Sequence, residues 1–306
     1  MAALLDQTEQ QTYVNSMSEF MSQGRAGQDY AFSYSAEEGS SWLLAVDGHG
    51  SHEPTEGKLP DKDYVTWLKE LNWGQLIEEH GLDTITQVQT QTQTWGSTLG
   101  IGACIVLARV KDDVVDIRWK GDAECRVYKN GREAYKTPVH KIEDKSEKER
   151  YEANGISYKT HQGWSVNVLN GTECTMKSSK RVSYLGLKEQ INISNCLGHA
   201  GSTGELVGEA SVDIHQVHDV VVVVGSDGLW DMVADTEVDA CDLSRLAFQG
   251  ANEMVSWAIQ RWEQEWDYVW PGQPTKKSQI PDRDDVCAAT WTRSVVLSEE
   301  EQSSKD

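Results

Sequence analysis

Two short apolar segments that each run into an Asp-Gly pair constrain the fold more than any other feature of this sequence. Ser41–Val46 (SWLLAV) ends at Asp47-Gly48, and Val220–Gly225 (VVVVVG) ends at Ser226-Asp227-Gly228. Short apolar runs bounded by turn residues are typical of buried strands. We therefore predict two buried strands that each carry an aspartate at one end, with a glycine-rich turn over Asp47–Gly50.

Further strand signals predict an antiparallel arrangement. Strand-like runs extend over Tyr30–Tyr34, Ile101–Arg109, Val114–Trp119, Glu124–Tyr128 and Val286–Thr292. The connections between the middle three runs are too short for crossover helices, so these strands are predicted to be antiparallel. A strong turn signal, Asn130-Gly131, comes directly after them.

Helical signals lie between the strand clusters. Apolar residues at helical spacing predict one helix over about 61–72 and another through Val255, Ala258, Ile259, Trp262 and Trp266. The capping-box pattern Ser146–Glu149 opens a third helix that Gly155 closes. The polar segment Thr86–Thr94 is interpreted as a solvated connection, and residues 271–282 as a loop.

This mixture of strand clusters and helical blocks indicates an α+β layered domain rather than a regular βαβ repeat. We expect one domain over residues 21–295. A polar tail or loose first element precedes it over residues 1–20, and an acidic tail follows it over residues 296–306.

The charge balance argues against several classes of partner. With 28 basic and 49 acidic residues, the formal net charge is −21, whereas nucleic acids and anionic membranes select basic surfaces. No apolar run approaches the roughly 18 residues of a membrane span, and the start of the chain lacks the features of a secretory signal. We expect a cytoplasmic, monomeric protein whose six cysteines, without a CxxC pair, are reduced.

Aspartates recur where strands begin or end. Besides Asp47 and Asp227, the sequence places Asp29 beside a strand, Asp122 in a hairpin-like connection, and the pair Asp284-Asp285 directly before a strand. Each has an ordinary interpretation when taken alone, as a turn or loop residue. If the carboxylates converge, however, they cannot all stay ionised without a cation, and oxygen ligands select Mg²⁺ or Mn²⁺.

The order of the motifs resembles the metal-dependent protein phosphatase family, type 2C. The similar segments are Val46–Ser51 (the family's DGHGG), Gly96–Leu99 (GSTA), Gly121–Glu124 (GDSR), Thr137–Lys141 with Glu147–Gly155 (the DHK segment), Ile191–His199 (SRALGD), Gly225–Val233 (ASDGLWDV) and Arg283–Cys287 (RDNMS). Seven motifs in order, over about residues 24 to 293, make this resemblance specific.

The resemblance implies a four-layer sandwich of two central antiparallel β-sheets flanked by α-helices. It also implies a Ser/Thr phosphatase in which a hydroxide bridging two Mn²⁺ or Mg²⁺ ions attacks the phosphorus of phosphoserine or phosphothreonine proteins. The implied ligands of the two ions are Asp29, Asp47, the Gly48 carbonyl, Asp227 and Asp284, and those of a weaker third ion are Asp122 and Asp231.

Two further residues receive roles from the resemblance. Arg25 would bind the phosphate oxygens, and His49 would protonate the departing oxygen. Taken alone, Arg25 would be a surface charge and His49 a turn histidine. The spacing also departs from the family, because Arg25 precedes Asp29 by four residues rather than five, and Asp285 replaces an asparagine.

Two other functions stay open at this point. The chain could be a pseudophosphatase that binds phosphoproteins on the same fold without turnover, or a hydrolase of small phosphate esters. The presence of Asp47, Asp227 and Asp284 favours a phosphoprotein phosphatase, because these aspartates are the implied ligands of the metal pair.

Overall fold

Two antiparallel sheets form the centre of the structure, a computed structural model. It describes residues 13–24, 26–50, 64–93, 101–142, 144–155, 158–161, 167–169, 181–184, 190–191, 193–199, 206–233, 241–269, 273–280 and 283–295. The strands are β1 (Tyr13–Ser22), β2 (Tyr30–Ser35), β3 (Ser41–Gly50), β4 (Ile101–Lys111), β5 (Val114–Lys120), β6 (Glu124–Lys129), β7 (Arg132–Lys136), β8 (Tyr158–His161), β9 (Asn167–Leu169), β10 (Arg181–Tyr184), β11 (Gln190–Ile191), β12 (Leu197–Gly198), β13 (Gly208–Asp213), β14 (Val220–Gly225), β15 (Glu265–Val269), β16 (Lys276–Gln279) and β17 (Val286–Val295).

Helices cover the outer faces of both sheets. The helices are α1 (Tyr64–Glu70), α2 (Trp73–His80), α3 (Thr84–Gln93), α4 (Lys145–Ala153), α5 (Asp227–Trp230), α6 (Cys241–Gln249) and α7 (Ala251–Glu263), with a short 3₁₀ turn at Gly81–Asp83. Helices α1, α2 and α3 pack on one sheet and α5, α6 and α7 on the other, whereas α4 contributes Tyr151 to the core between the sheets. The α+β class predicted from the sequence is confirmed.

The strand order explains how distant segments meet. One sheet has the order β1-β17-β14-β6-β7, and the other has the order β13-β5-β4-β3-β2, with β12 pairing on β4. The antiparallel pairing of β4 with β5 agrees with the prediction. The prediction of a hairpin-like connection at Gly121-Asp122, which would pair β5 with β6, is wrong, because β6 pairs with β14 and β7 in the opposite sheet. Residues 121–123 therefore cross from one sheet to the other.

The apolar strands are buried on both faces, which accounts for their uninterrupted hydrophobic character. In β3, Leu43 and Ala45 point into the core between the sheets, whereas Leu44 and Val46 pack against α1, α2 and α3. In β14, the alternate valines likewise divide between the central core and the layer of α5, α6 and α7. Because side chains alternate along a strand, each strand serves two of the four layers.

Three local predictions need correction. Thr86–Thr94 was expected to be a solvated connection, but its described part belongs to α3, where Val88 and Thr92 are buried at helical spacing. The helix predicted to extend through Trp266 is shorter than expected. Helix α7 ends at Glu263, and Trp266 lies in β15. The loop predicted over residues 271–282 contains β16, which forms an antiparallel pair with β15.

Both ends of the described chain meet in one sheet. Strand β1 pairs with β17 from Tyr13↔Val295 to Ser22↔Val286, so the boundary expected after residue 20 falls inside a strand. Within the described ranges, no helix is both long enough and apolar enough to cross a membrane.

Candidate functional site

The first Asp-Gly pair lies in a strand rather than in the predicted turn. Strand β3 continues through Asp47, Gly48 and His49 to Gly50, and these residues pair with the beginning of β4. A side chain at Gly48 would place its Cβ 2.7 Å from Val65 Cγ1 and 2.9 Å from the Gln28 carbonyl oxygen. The close approach of these neighbours requires glycine at this position.

All six aspartates predicted to bind metal ions belong to one electrostatic cluster. They are Asp29, Asp47, Asp122, Asp227, Asp231 and Asp284, and they come from five separate parts of the chain. Burial raises the pKa of Asp47 well above its usual range, and the charges of Asp227, Asp29, Asp122 and Asp284 raise it further. The aspartates that the sequence places at strand ends therefore influence one another electrostatically.

The second Asp-Gly pair, Asp227-Gly228, contacts the first pair, Asp47-Gly48. The Asp227 backbone nitrogen donates a hydrogen bond to Asp47 Oδ2, with an N···O distance of 3.3 Å. Burial also raises the pKa of Asp227 well above its usual range, with Asp122, Asp231 and Asp284 contributing. Both aspartates therefore have environments that disfavour negative charge unless a cation or a proton is present.

Asp29 lies at the buried floor of the cluster. Its side chain is 3% exposed, and its Oδ2 has no hydrogen-bond partner in the described part of the chain. Burial raises the pKa of Asp29 to about 8, with Asp285 and Asp284 adding to the effect. A buried carboxylate oxygen without a donor is costly, which is the situation that a bound cation relieves.

The rim of the cluster reaches solvent. Asp231 and Asp284 are exposed at the surface, whereas Asp227 is half-buried. Desolvation by the surrounding residues raises the pKa of Asp231 to about 6. The charges of Asp122 and Asp284 add to the rise, and Lys141 opposes it. The pKa of Asp284 is also raised, by partial burial and by the nearby charges of Asp285 and Asp122. An ion could therefore enter from the side of these two residues.

Asp122 lies in the crossover between the sheets, not in a hairpin. Its Oδ1 accepts a hydrogen bond from the Cys104 thiol, with an S···O distance of 3.1 Å. Its Oδ2 lies 3.2 Å from Lys141 Nζ. Although burial lowers the pKa of Lys141, the carboxylates of Asp122, Asp231 and Asp227 outweigh it and hold the pKa above its ordinary value. An ammonium group thus already offsets part of the charge where the third ion was expected.

The segment around His140 fixes this crossover. The Gly121 nitrogen donates to His140 Nδ1 at 3.0 Å, and the His140 nitrogen donates to the Gly121 carbonyl at 2.9 Å. Burial lowers the pKa of His140 to about 4, so the ring is neutral and its Nδ1 can accept. These bonds hold Asp122 next to Cys104 and Lys141.

Asp285 does not face the metal cluster as a free ligand. One of its oxygens accepts a hydrogen bond from the Gly24 nitrogen, and the other accepts one from the Gln28 nitrogen at 2.5 Å. It therefore holds the backbone on both sides of residue 25. Arg25 itself, the predicted phosphate-binding residue, lies outside the described residues.

His49 pairs with a second histidine that the sequence analysis did not select. The Nε2 atoms of His49 and His199 lie 2.9 Å apart, and the two rings stack with a centroid distance of 5.0 Å. Burial lowers the pKa of His49 to about 4 and, together with His49, lowers that of His199 to about 3. Two neutral rings can share one proton between their Nε2 atoms.

The donor atoms of the aspartate cluster fit a hard divalent cation. An oxygen of Asp47 and an oxygen of Asp122 lie within 4.8 Å of each other and of Cys104 Sγ. Burial raises the pKa of the Cys104 thiol, so it stays protonated and donates a hydrogen bond to Asp122, and the carboxylates are the ligands. Carboxylate and carbonyl oxygens are the ligands that Mg²⁺ and Mn²⁺ prefer. The buried Asp29 Oδ2 adds an oxygen to which none of the described residues donates a hydrogen bond.

Four residues at the site were missed from the sequence. Cys104 and Cys196 were treated only as scattered thiols, and Lys141 was quoted in a motif without a role. His199 had the clearest signal, because it stands where the family's SRALGD motif has an aspartate. Cys104 has no such signal, since it reaches the site only through its pairing opposite Asp47.

The fold is shared with structurally characterised proteins at low sequence identity. A C. elegans sex-determining protein has a TM-score of 0.55 and 16% identity, with 90% of this chain and 64% of that chain covered. A Toxoplasma gondii serine-threonine phosphatase 2C (TM-score 0.52, 13% identity) is matched over 92% of this chain and 99% of its own. An S. agalactiae serine/threonine phosphatase (0.51, 13%) is matched over 91% and 99%.

The chain spans 64% of the length of the C. elegans structure, and at these identities the three likenesses show the fold alone. No curated protein sequence matches the chain significantly. The family model for protein phosphatase 2C matches residues 10–261, which is well over half of the chain. The chain therefore belongs to the protein phosphatase 2C family.

Proposed function

We propose that this protein is a metal-dependent phosphatase of phosphoserine and phosphothreonine proteins. The observation that supports it most is the convergence of six aspartates at one edge between the sheets, with pKa values raised at Asp29, Asp47, Asp227, Asp231 and Asp284. Such a cluster is unfavourable in a protein without a cation. Membership of a family of protein phosphatases supports the same proposal.

The cation ligands in this proposal are Asp29, Asp47, the Gly48 carbonyl, Asp227 and Asp284. When bound there, divalent cations supply positive charge that acidifies water and stabilises charge on phosphoryl oxygens. Asp122 and Asp231 form a weaker position, because Asp122 already pairs with Lys141. The carboxylates orient the reacting groups, and the packed strands beneath them exclude bulk water.

Two residues act on the phosphate ester itself. Arg25 binds the non-bridging oxygens through its guanidinium, and Asp285 supports this role by holding the Gly24 and Gln28 nitrogens on either side. His49 supplies a proton from Nε2 to the departing serine or threonine oxygen, which is a poor leaving group as an alkoxide. A phosphate dianion beside the ring would favour its protonated form.

Release of phosphate from a phosphothreonine peptide tests this function. The purified protein should release phosphate with Mn²⁺ or Mg²⁺, lose activity in excess EDTA, and recover when the ion is restored. Peptide binding without release would instead indicate a pseudophosphatase. Hydrolysis confined to small phosphate esters would indicate the second alternative and overturn the proposed substrate class.

A further inference from the structure

A second group of potential metal ligands lies beside the aspartate cluster but has different chemistry. One ligand atom each from His49, Cys196 and His199 lies within 4.8 Å of the others. Cys196 and His199 are buried, with 2% and 1% exposure, and His49 is half-buried. Two imidazoles and one thiol form a nitrogen and sulfur donor set, in contrast to the oxygen donors of the aspartates.

The strand register brings these residues together. His49 lies opposite Gly102 on one side of β4, and Gly198 lies opposite Gly102 on the other side. A Cβ at Gly102 would lie 2.8 Å from His49 Nε2 and 2.7 Å from His199 Cδ2. The absence of a side chain at Gly102 therefore creates the space in which the two rings meet.

The segment that carries Cys196 and His199 is firmly anchored. The Ser194 carbonyl accepts hydrogen bonds from Arg150 Nη2 at 2.8 Å and from Tyr151 Oη at 2.6 Å. The Ser194 nitrogen donates to the His140 carbonyl at 2.8 Å. Preorganised ligands lose little freedom on binding an ion, which favours affinity.

The histidine at the end of this segment has two unusual features. Its φ angle is 52°, in the left-handed region that residues other than glycine seldom adopt. Its Nδ1 is buried without a hydrogen-bond partner among the described residues. Unusual backbone conformations and unpaired buried polar atoms in one residue are typical of functional sites.

We propose that His49, Cys196 and His199 form a binding site for a borderline-soft divalent ion, of which Zn²⁺ is the best match. Imidazole and thiolate ligands select such ions, whereas Mg²⁺ and Ca²⁺ prefer oxygen. Binding releases the Cys196 thiol proton to solvent, because the thiolate is the ligand. A water completes the fourth position of a tetrahedral site.

The geometry requires only small side-chain movements. With Zn–N of about 2.0–2.1 Å and Zn–S of about 2.3 Å, tetrahedral ligand atoms lie about 3.3–3.7 Å apart. The two Nε2 atoms are 2.9 Å apart, and all three donors lie within 4.8 Å of one another. The two Nε2 atoms must therefore move apart by about 0.4 Å, and a donor as far as 4.8 Å away must approach by about 1 Å. Side-chain rotation supplies shifts of this size.

This site has a consequence for catalysis that rests on the proposed function. His49 cannot give a proton from a nitrogen that a metal ion occupies. Zn²⁺ would therefore inhibit hydrolysis of phosphopeptides by a route separate from displacement of ions at the aspartates. The protein would respond to free Zn²⁺ while saturated with Mg²⁺.

Cobalt spectroscopy tests the binding site without an activity measurement. Co²⁺ is added to the full chain in excess Mg²⁺, and thiolate-to-cobalt charge-transfer absorption is recorded. We expect the band to saturate at one ion per chain and to disappear when one equivalent of Zn²⁺ is added. No thiolate band in the wild-type protein would overturn the proposal.

Two variants test the proposed ligands, and two cysteine variants serve as controls. Cys196→Ala should lose the band, and His199→Phe should weaken cobalt binding at least about tenfold. Cys104→Ala is the sharpest control, since Cys104 lies beside the aspartate cluster, and Cys125→Ala controls for loss of a buried thiol elsewhere. Both controls should keep the band. Loss of the band in Cys104→Ala and its retention in Cys196→Ala would overturn the assignment.

Inhibition of hydrolysis by Zn²⁺ is measured separately from Co²⁺ binding. Each variant's phosphopeptide hydrolysis with Zn²⁺ is compared with its own rate without Zn²⁺, in excess Mg²⁺. Wild type should be inhibited at lower Zn²⁺ than Cys196→Ala, by about tenfold or more. Equal inhibition of both would overturn the inhibitory consequence. If no variant hydrolyses phosphopeptides while the cobalt band is present, the proposed function fails and the binding site stands.

Discussion

Burial acts in opposite directions on two side chains that lie two residues apart on β3. Asp47 belongs to the carboxylate cluster, where burial and neighbouring charge raise its pKa. His49 belongs to the histidine–cysteine group, where burial lowers its pKa to about 4. The charged form is disfavoured in both cases, but for an acid this means that it keeps a proton and for a base that it loses one.

The difference in pKa shifts indicates which kind of metal ion each region binds. The carboxylate cluster gains most from a cation that replaces protons and neutralises several oxygens at once. The histidine–cysteine group already holds neutral rings, which are the ligand form of imidazole. One strand therefore presents a hard and a soft site side by side, and substitutions in each should affect metal binding and catalysis differently.

The largest expected effect comes from the carboxylate side. Asp227→Asn keeps the shape of the side chain but removes a charge from the centre of the cluster. We expect phosphopeptide hydrolysis to fall more than about 100-fold, because loss even of groups that only orient metal ligands typically costs 10–100-fold. The rate in saturating Mn²⁺ measures this effect.

Asp116→Asn is a matched control for that substitution. Asp116 is also half-buried, but it pairs with Arg109 at 2.7 Å on β5, outside the cluster. Its activity should stay within a few-fold of wild type. Equal losses in the two variants, or full activity of Asp227→Asn in excess EDTA, would refute the metal-site assignment.

The histidine side should affect one class of substrate more than another. His49→Gln removes the proposed proton donor, and general acid catalysis typically contributes about 10²–10⁴-fold. Hydrolysis of a phosphothreonine peptide should slow by this factor. Hydrolysis of p-nitrophenyl phosphate should slow much less, because nitrophenolate leaves without a proton, and Mn²⁺ affinity should barely change.

Equal slowing on both substrates would mean that His49 orders the aspartate cluster instead of donating a proton. The carboxylate cluster and the histidine–cysteine group would then not have separate roles in catalysis, because both would act through the same metal ions. Weakened Mn²⁺ binding in His49→Gln would lead to the same conclusion.

The sequence predicted the aspartates better than it predicted their surroundings. Asp47 and Asp227 follow apolar runs, so their signal is local and lies within a few residues. Asp122 was placed in a hairpin, because neighbouring strands usually pair and nothing in residues 121–123 shows that the chain changes sheets there. The strand-end pattern therefore selected Asp122, but only the family motif assigned it to the weaker third ion.

Long-range partners were the least predictable part. His49 and His199 are 150 residues apart in the sequence, and they meet only because β3 and β12 pair on either side of Gly102. Helix α3 was missed for a different reason, since its repeated Thr and Gln residues mask the buried stripe that includes Val88. The contact between His49 and His199 and the formation of α3 both depend on tertiary packing, which the composition of the sequence does not reveal.

A smaller effect concerns the weaker metal position. Lys141→Met removes the ammonium that lies 3.2 Å from Asp122. Binding of an additional divalent ion should become at least about tenfold tighter, because unit charges at this distance interact by more than about 1 kcal/mol even in water and about 1.4 kcal/mol is tenfold. Calorimetry with Mn²⁺ measures the number of ions and their affinities.

Lys111→Met is the control, because it removes a lysine that pairs with Glu38 at 2.7 Å on the exposed surface. It should leave ion binding unchanged. If Lys141→Met binds fewer ions than wild type, Lys141 supports the ligands and does not compete with an ion at Asp122.

The smallest expected effect is on the stability of the metal-free protein. Burial raises the pKa of Asp29 to about 8, compared with about 3.9 in an unfolded chain. The folded state thus binds this proton more tightly, so the stabilisation is fully present below about pH 4 and is lost as the pH rises to about 8. In EDTA, Tm should fall by about 1–3 °C between pH 7 and pH 8. In this range ordinary carboxylates are already ionised, and His49, His140 and His199, whose pKa values burial lowers, are largely neutral in both the folded and the unfolded state. Mn²⁺ should restore more of the Tm at pH 8 than at pH 5, because it replaces the lost proton.

Asp29→Asn should reduce the dependence of Tm on pH in EDTA, whereas Asp219→Asn, at an exposed position, should not. A Tm that rises from pH 7 to pH 8 in EDTA would show that the carboxylates are ionised without a cation, and the contrast between the two regions of β3 would have to be abandoned.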